Sequence, residues 1–157
     1  MKLVKLLLLL PIALLMLTPA HATTPTLLTG TIKTTLVRTE TRTADGNTFA
    51  KATFTDVFAG GIEGNLVGTL AFNILSTGQF TARTADSNFT GMVNGNGPGT
   101  ASIHATEQGT LSNGVIAQGQ FVIGNGTGGL AGIHGEATFQ ISPGSFTYSV
   151  LVHFDPA

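Results

Sequence analysis

From Gly30 onward the chain falls into short stretches in which apolar and polar side chains take turns, separated by clusters of Gly, Asn, Asp, Ser and Pro. Period-two alternation marks a strand with one buried face, because successive side chains point to opposite sides of a pleated backbone. It is clearest near the end of the chain. Ile133, Gly135, Ala137, Phe139 and Ile141 share one face, with His134, Glu136, Thr138 and Gln140 on the other. Phe146, Tyr148, Val150, Val152 and Phe154 repeat the pattern against Thr147, Ser149, Leu151 and His153. With Ser142 to Ser145 as the loop, Ile141 faces Phe146, and the same register sets Phe139 against Tyr148, Ala137 against Val150, Gly135 against Val152 and Ile133 against Phe154. One register satisfies the whole apolar face, and a slip of one residue would turn that face to water.

One hairpin earlier the same test favours a three-residue loop, Ser112-Asn113-Gly114, with glycine in the left-handed position; this brings Ala105 to Phe121. A two-residue Asn113-Gly114 turn would pair opposite faces. Leu66, Gly68, Leu70, Phe72 and Ile74 form another alternating strand, and less regular strands fall near 30–40, 47–58, 78–92 and 100–110. Turn signals lie between them at Asp45-Gly46-Asn47, Gly60-Gly61, Ser76-Thr77-Gly78, Asn94 to Gly99 and Gly124 to Gly129. No stretch carries the 3-4-7 spacing of a long helix. The expected fold is all-β: a small eight-stranded antiparallel β-barrel over residues 30–157, a single domain whose closure removes the edges that invite aggregation.

The N-terminus has a different pattern. Lys2 and Lys5 precede an unbroken apolar run from Leu6 to Leu17, followed by Pro19 and the small-x-small triplet Ala20-His21-Ala22. That is the layout of a signal peptide, and the run is too short for a span of about 20 apolar residues, so residues 1–22 are expected to be removed. Residues 23–29, polar and proline-containing, are expected to be a flexible leader. The implied location is periplasmic or secreted.

Composition narrows the classes further. All 21 glycines lie after residue 22, well above the usual share of about 7%. There is no cysteine, so neither disulfides nor thiol chemistry contributes, and burial of apolar surface must carry stability. After residue 22 the basic residues are Lys33, Arg38, Arg42, Lys51 and Arg83 against eight acidic ones. With no basic patch, nucleic acid is not an expected partner. An outer-membrane barrel suits the strand count, but a chain with no Trp and one Tyr cannot build two interfacial aromatic belts. No stable membrane insertion is expected once the signal is gone.

The segment from Gly126 to Phe139, GTGGLAGIHGEATF, resembles the GTG-x-L-x-G-x-x-G signature of short bacterial proteins grouped as domain of unknown function 3224. Supporting matches are Phe58 to Gly64, Phe89-Thr90-Gly91, Gly99-Thr100 and Phe146 to Ser149, so the resemblance covers roughly Gly30 to Asp155. The glycine-rich hairpin is also similar to that of plant allene oxide cyclases and dirigent proteins, eight-stranded barrels with a central apolar cavity. The resemblance implies an allene oxide cyclase-like, calycin-like barrel. It implies no catalytic residue, because the bacterial family has no established activity and no cyclase or dirigent active-site residue aligns.

Candidate chemistry is sparse. Parity places Phe72, Phe121, Phe139, Tyr148 and Phe154 on buried faces, and Gly68, Ala117, Gly119, Gly135 and Ala137 between them could leave space, so these five aromatics are the expected lumen and ligand-binding residues. The hydroxyl of Tyr148 needs a partner, from the protein or from a ligand. Arg38, Asp56 and Glu107 share parity with inward residues, but each lies toward a strand end and is expected to reach water at a rim. His134 and His153 face each other with Glu136 nearby, and are expected to be exposed on the sheet exterior. Gly124, Gly126 and Gly129 spell a dinucleotide fingerprint, yet a strand and not a helix follows, so they read as a tight connection with positive φ. Asn88-Phe89-Thr90 and Asn125-Gly126-Thr127 are glycosylation sequons that matter only on a eukaryotic secretory route.

The reading is an exported barrel that binds a small apolar molecule in its lumen, with no cofactor, metal or catalytic set expected. An isomerase or cyclase by fold analogy is the first alternative, and a structural module with a filled core, possible as a homo-oligomer, is the second. N-terminal sequencing of the mature protein is expected to start at Thr23; a product retaining Met1 would overturn the export reading.

Overall fold

The computed structural model describes residues 24–111 and 114–156. The signal-peptide reading of residues 1–22 therefore lies outside the described residues, as do Ser112 and Asn113 of the expected three-residue loop. Eight strands follow in order: β1 (Thr26–Ala44), β2 (Asn47–Gly60), β3 (Ile62–Ile74), β4 (Gln79–Val93), β5 (Asn96–Thr110), β6 (Ile116–Gly128), β7 (Ile133–Ser142) and β8 (Ser145–Phe154). Each pairs antiparallel with the next and β8 returns to β1, closing a barrel. The two registers expected from the sequence are present: Phe139 faces Tyr148 and Ile133 faces Phe154 in the last hairpin, and Ala105 faces Phe121 between β5 and β6. Gly114, at φ 101°, supplies the positive backbone angle the loop requires.

We call the end carrying the turns at 45–46, 75–78, 111–115 and 143–144 the upper end. The lower half of the barrel is solid. Ile62, Val93, Leu130, Ile133, Val150 and Val152 are almost fully buried there. Above them Phe58 meets Phe89 edge-on at 5.9 Å and Phe121 at 6.1 Å, with Tyr148 at 5.6 Å, so rings from four strands lie across the bore as a floor. The Tyr148 hydroxyl accepts a hydrogen bond from the Ile62 amide at 2.8 Å and lies 3.4 Å from the Ala59 and Ile62 carbonyls, either of which can receive its proton. This ties β8, over Gly30 of β1, to the turn between β2 and β3. Burial raises the pKa of Tyr148 above the ordinary tyrosine value, keeping the hydroxyl a donor, with the Ile62 hydrogen bond acting in the opposite direction. Gly30 makes the arrangement possible, since a Cβ there would sit 2.4 Å from the tyrosine oxygen.

Three expectations are corrected. The flexible leader is shorter than 23–29, because Thr26 to Thr29 already pair with Val152 to Ser149 and Leu28 is buried in the lower core. The segment carries too few alternating residues for its period to be read. Closure, in turn, protects only part of β1. Its pairs with β8 end at Thr31, and among the described residues the stretch from Ile32 to Ala44 pairs with β2 alone. That free edge carries a bulge between Arg38 and Glu40 and an ion pair from Glu40 to Lys51 at 3.1 Å, features that discourage further strands. Finally, most glycines from 124 to 129 are not turn residues. Of these only Gly128 has positive φ; Gly126 lies within β6, where a Cβ would meet the Leu130 carbonyl oxygen as the chain curls back.

Tyr148→Phe is expected to leave the Ile62 amide buried without its acceptor and to lower stability by about 1–3 kcal/mol. Urea denaturation at neutral pH measures this. A variant as stable as the parent would show that the tie across the floor contributes nothing.

Candidate functional site

Above the aromatic floor the bore is hollow. A cavity of about 400 Å³ lies between all eight strands, with Phe54, Phe58 and Phe121 toward its base and Ile74, Phe80 and Phe146 toward its mouth. It opens to solvent at the upper end beside Leu36, Leu111 and Val115, exposed by 42%, 43% and 43%. The volume is at the small end of the ligand-pocket range of about 300–1,000 Å³, and the wall is mainly apolar.

Of the five aromatics expected to line a lumen, Phe72, Phe121 and Phe139 border this cavity. Tyr148 does not: its ring is in the floor and its hydroxyl is committed to Ile62. Phe154 is at the other end of the barrel, packed against the lower core. The small residues do not create the space either. A Cβ at Gly119 would meet the Phe139 ring at 2.3 Å and one at Gly135 would meet Val152 at 3.0 Å, so larger neighbours already fill those gaps. Ala137, buried between Phe121 and Val150, belongs to the solid half. The hollow comes from strand geometry: the walls continue upward past the last layer of rings that fill the bore.

A bulge in β4 shapes one wall. Asp86 has φ 45°, and the pairing with β5 breaks between Arg83 and Asn88. The inward parity changes there, from Phe80 and Ala82 to Ser87 and Phe89. Hydroxyls restore the lost ladder bonds: Thr84 Oγ1 accepts from the Ala105 amide at 2.8 Å, and Ser87 donates to the Ile103 carbonyl. Gly68 gives the bulge room, since a Cβ there would meet Ser87 Cβ at 2.8 Å.

Two of the three charges expected at a rim lie elsewhere. Asp56 and Glu107 both border the cavity, and Asp56 is only 9% exposed. Asp56 is four residues from the lower end of β2, but that end is sealed by the packed core, so the side chain does not reach bulk water on that side. Glu107 comes from β5, opposite Ala82 on one side and Gly119 on the other. Burial pushes the Asp56 carboxyl up to about 6, against the lowering effect of the Thr34 hydroxyl that donates to its Oδ1 at 2.6 Å. Burial, and then the charge of Asp56, push Glu107 up to about 7. Arg38 borders the cavity as an exposed residue and forms an ion pair with neither acid. Thus Arg38 stays near water, Asp56 is an interior group and Glu107 a half-buried one, and burial resists the ionisation of both carboxyls.

On the outer face His134 and His153 stack at 5.4 Å, as their register required, and share Asp155 at 3.1 and 3.6 Å. Among the described residues no group of three or more His, Asp or Glu side chains is arranged to hold a metal ion.

Fold and cavity together define a closed, eight-stranded antiparallel barrel with a ligand-sized lumen bearing two carboxyl groups. The chain belongs to the family described as protein of unknown function (DUF3224), whose model matches residues 28–151. It is similar in fold to a crystal structure of a DUF3224-family protein of unknown function from Shewanella oneidensis MR-1, with a TM-score of 0.69, 19% identity, and coverage of 85% of this chain and 99% of that one. No curated protein matches the sequence.

The two cavity carboxyls set a pH dependence with a definite sign. A carboxyl whose pKa rises on folding holds its proton more tightly in the folded state, so its stabilising effect is complete at acid pH and is lost as pH climbs through the folded value. Stability is therefore expected to fall between about pH 4 and pH 7, by on the order of 2 kcal/mol per group. Denaturant melts across that range measure it. Asp56→Asn combined with Glu107→Gln should flatten the curve, and an unchanged slope would place its origin elsewhere.

Proposed function

We propose that this protein is exported, to the periplasm or beyond the cell, and there binds a small apolar molecule in the upper cavity. The observation that carries the reading is a mainly apolar, ligand-sized hollow open at one end and closed by packed rings at the other. A solid lower half gives a rigid base, so a ligand meets a site that is already formed, and little binding energy goes into ordering it. The signal-like N-terminus, with Lys2 and Lys5 before the apolar run and Ala20-His21-Ala22 after it, supports export. A filled structural core is less consistent with the open bore. Two carboxyls in an apolar enclosure favour acid–base chemistry as the second reading, an isomerase in which one group accepts a proton and the other donates it.

Native mass spectrometry of the protein purified from its own host is expected to show a co-purifying small molecule. In vitro, octan-1-ol should raise the melting temperature, by about 2.7 kcal/mol of added stability at a hundredfold excess over its dissociation constant. Ala105→Leu, which adds bulk to the cavity wall, should weaken that effect at least about tenfold while the folded spectrum is kept. Equal stabilisation of parent and variant would place the binding outside the cavity. Turnover of the co-purified molecule, without loss from the protein, would favour the isomerase.

A further inference from the structure

We propose that the upper cavity selects apolar molecules carrying one protonated amine, received jointly by Asp56 and Glu107. The proposal rests on the cavity being a ligand site and adds the chemical class of the ligand.

Neither carboxyl has a full set of partners. Asp56 is nine-tenths buried, and the Thr34 hydroxyl satisfies its Oδ1. Among the described residues its Oδ2 has no hydrogen-bond or ion-pair partner, and neither does the Glu107 carboxyl. A buried carboxylate normally has a cation or several donors beside it, because leaving it unpaired is costly. Here two acids border one hollow, close enough for the charge on Asp56 to disfavour ionisation of Glu107. Protonation relieves part of that cost. An ammonium group relieves it better: it supplies three donors and a charge that offsets both carboxylates.

The rest of the lining supports the same choice. β3, β6, β7 and β8 contribute only apolar side chains, and β4 adds the Thr84 hydroxyl to otherwise apolar residues. The other charged group on the cavity is Arg38 of β1, exposed and therefore at the mouth. A carboxylate ligand would be held at that mouth, and further in it would meet two like charges. A neutral alcohol would gain hydrogen bonds but leave the carboxyl charges uncompensated. The phenylalanine faces at the base, Phe58 and Phe121 among them, suit the apolar part of the molecule and add attraction for a cation nearby.

The test compares three probes with the same eight-carbon chain, octan-1-amine, octan-1-ol and octanoate, binding the mature chain. Isothermal titration below the micelle concentrations is the readout. At about pH 8, where both acids are ionised, the amine is expected to bind at least about tenfold more tightly than the alcohol, and octanoate more weakly than either. At about pH 5 protons occupy the carboxyls, and the preference for amine over alcohol should shrink severalfold or more. Asp56→Asn with Glu107→Gln should abolish the preference while octan-1-ol still binds, which also shows that the variant is folded. Equal affinity for amine and alcohol in the parent at about pH 8, or a preference that survives the double replacement, would overturn the amine proposal and leave the cavity reading intact. If none of the three binds the parent, the cavity reading fails, and the amine proposal with it.

Discussion

The hydrogen bond from the Ile62 amide to the Tyr148 hydroxyl reaches over Gly30 of β1 at the level where packing stops, and it fixes a ring in the layer that caps the solid half. A tyrosine in a barrel core brings a hydroxyl that must be partnered, and the partner here is backbone at the turn between neighbouring strands. Because the oxygen is fixed from that side, the ring lies against Phe58 and Phe121 and does not rise into the space above. Gly30 is the matching concession on β1. Below this layer aliphatic side chains fill the bore; above it a smaller cluster of Phe80, Ala82 and Ala117, with Leu70, Phe72, Ile74 and Ile141 against it, lines the open part. The cavity is thus a consequence of strands long enough to extend past the last layer of rings that fill the bore.

That division also explains how two acids are tolerated. In the solid half an unpaired carboxyl would meet only hydrocarbon, with no route to a counter-charge. In the hollow half the oxygen atoms face space that water or a ligand can enter, and protonation relieves the rest of the cost. Thr34 holds one oxygen of Asp56 and leaves the other available. Burial works against the charged form of both groups, the kind of local concession expected at a functional site rather than in a core selected for packing alone.

Much of this fold was legible because period two is plain in β3, β7 and β8 and is enough to set the register of β5 against β6. From β7 to β8 one pairing rule gave every contact, since each apolar residue had a single partner that kept both faces consistent. The rule weakened where bulges change parity. In β4 the inward set passes from even to odd positions at Asp86, which is why residues 78–92 looked irregular. Three of the expected lumen aromatics border the hollow, but parity reports direction and not depth. Tyr148 and Phe154 point inward as expected and are below the cavity. The same limit misplaced Asp56 and Glu107. Distance from a strand end was a poor guide to exposure, because the lower end is sealed and neighbouring hairpins rise past Glu107 at the upper one. The signal for them was present in their inward parity; what a single strand cannot show is how far its neighbours extend on either side.

The seam between β1 and β8 has a further consequence. Thr26 pairs with Val152, so both ends of the folded chain emerge side by side at the lower rim, at the opposite pole from the mouth. A tether or fusion partner attached at either terminus would hang beneath the floor and leave the entrance facing away from it. The proximity also means that a short linker could join the two ends, and the chain could then be reopened at the Pro143-Gly144 turn with all eight strands in their present order around the barrel.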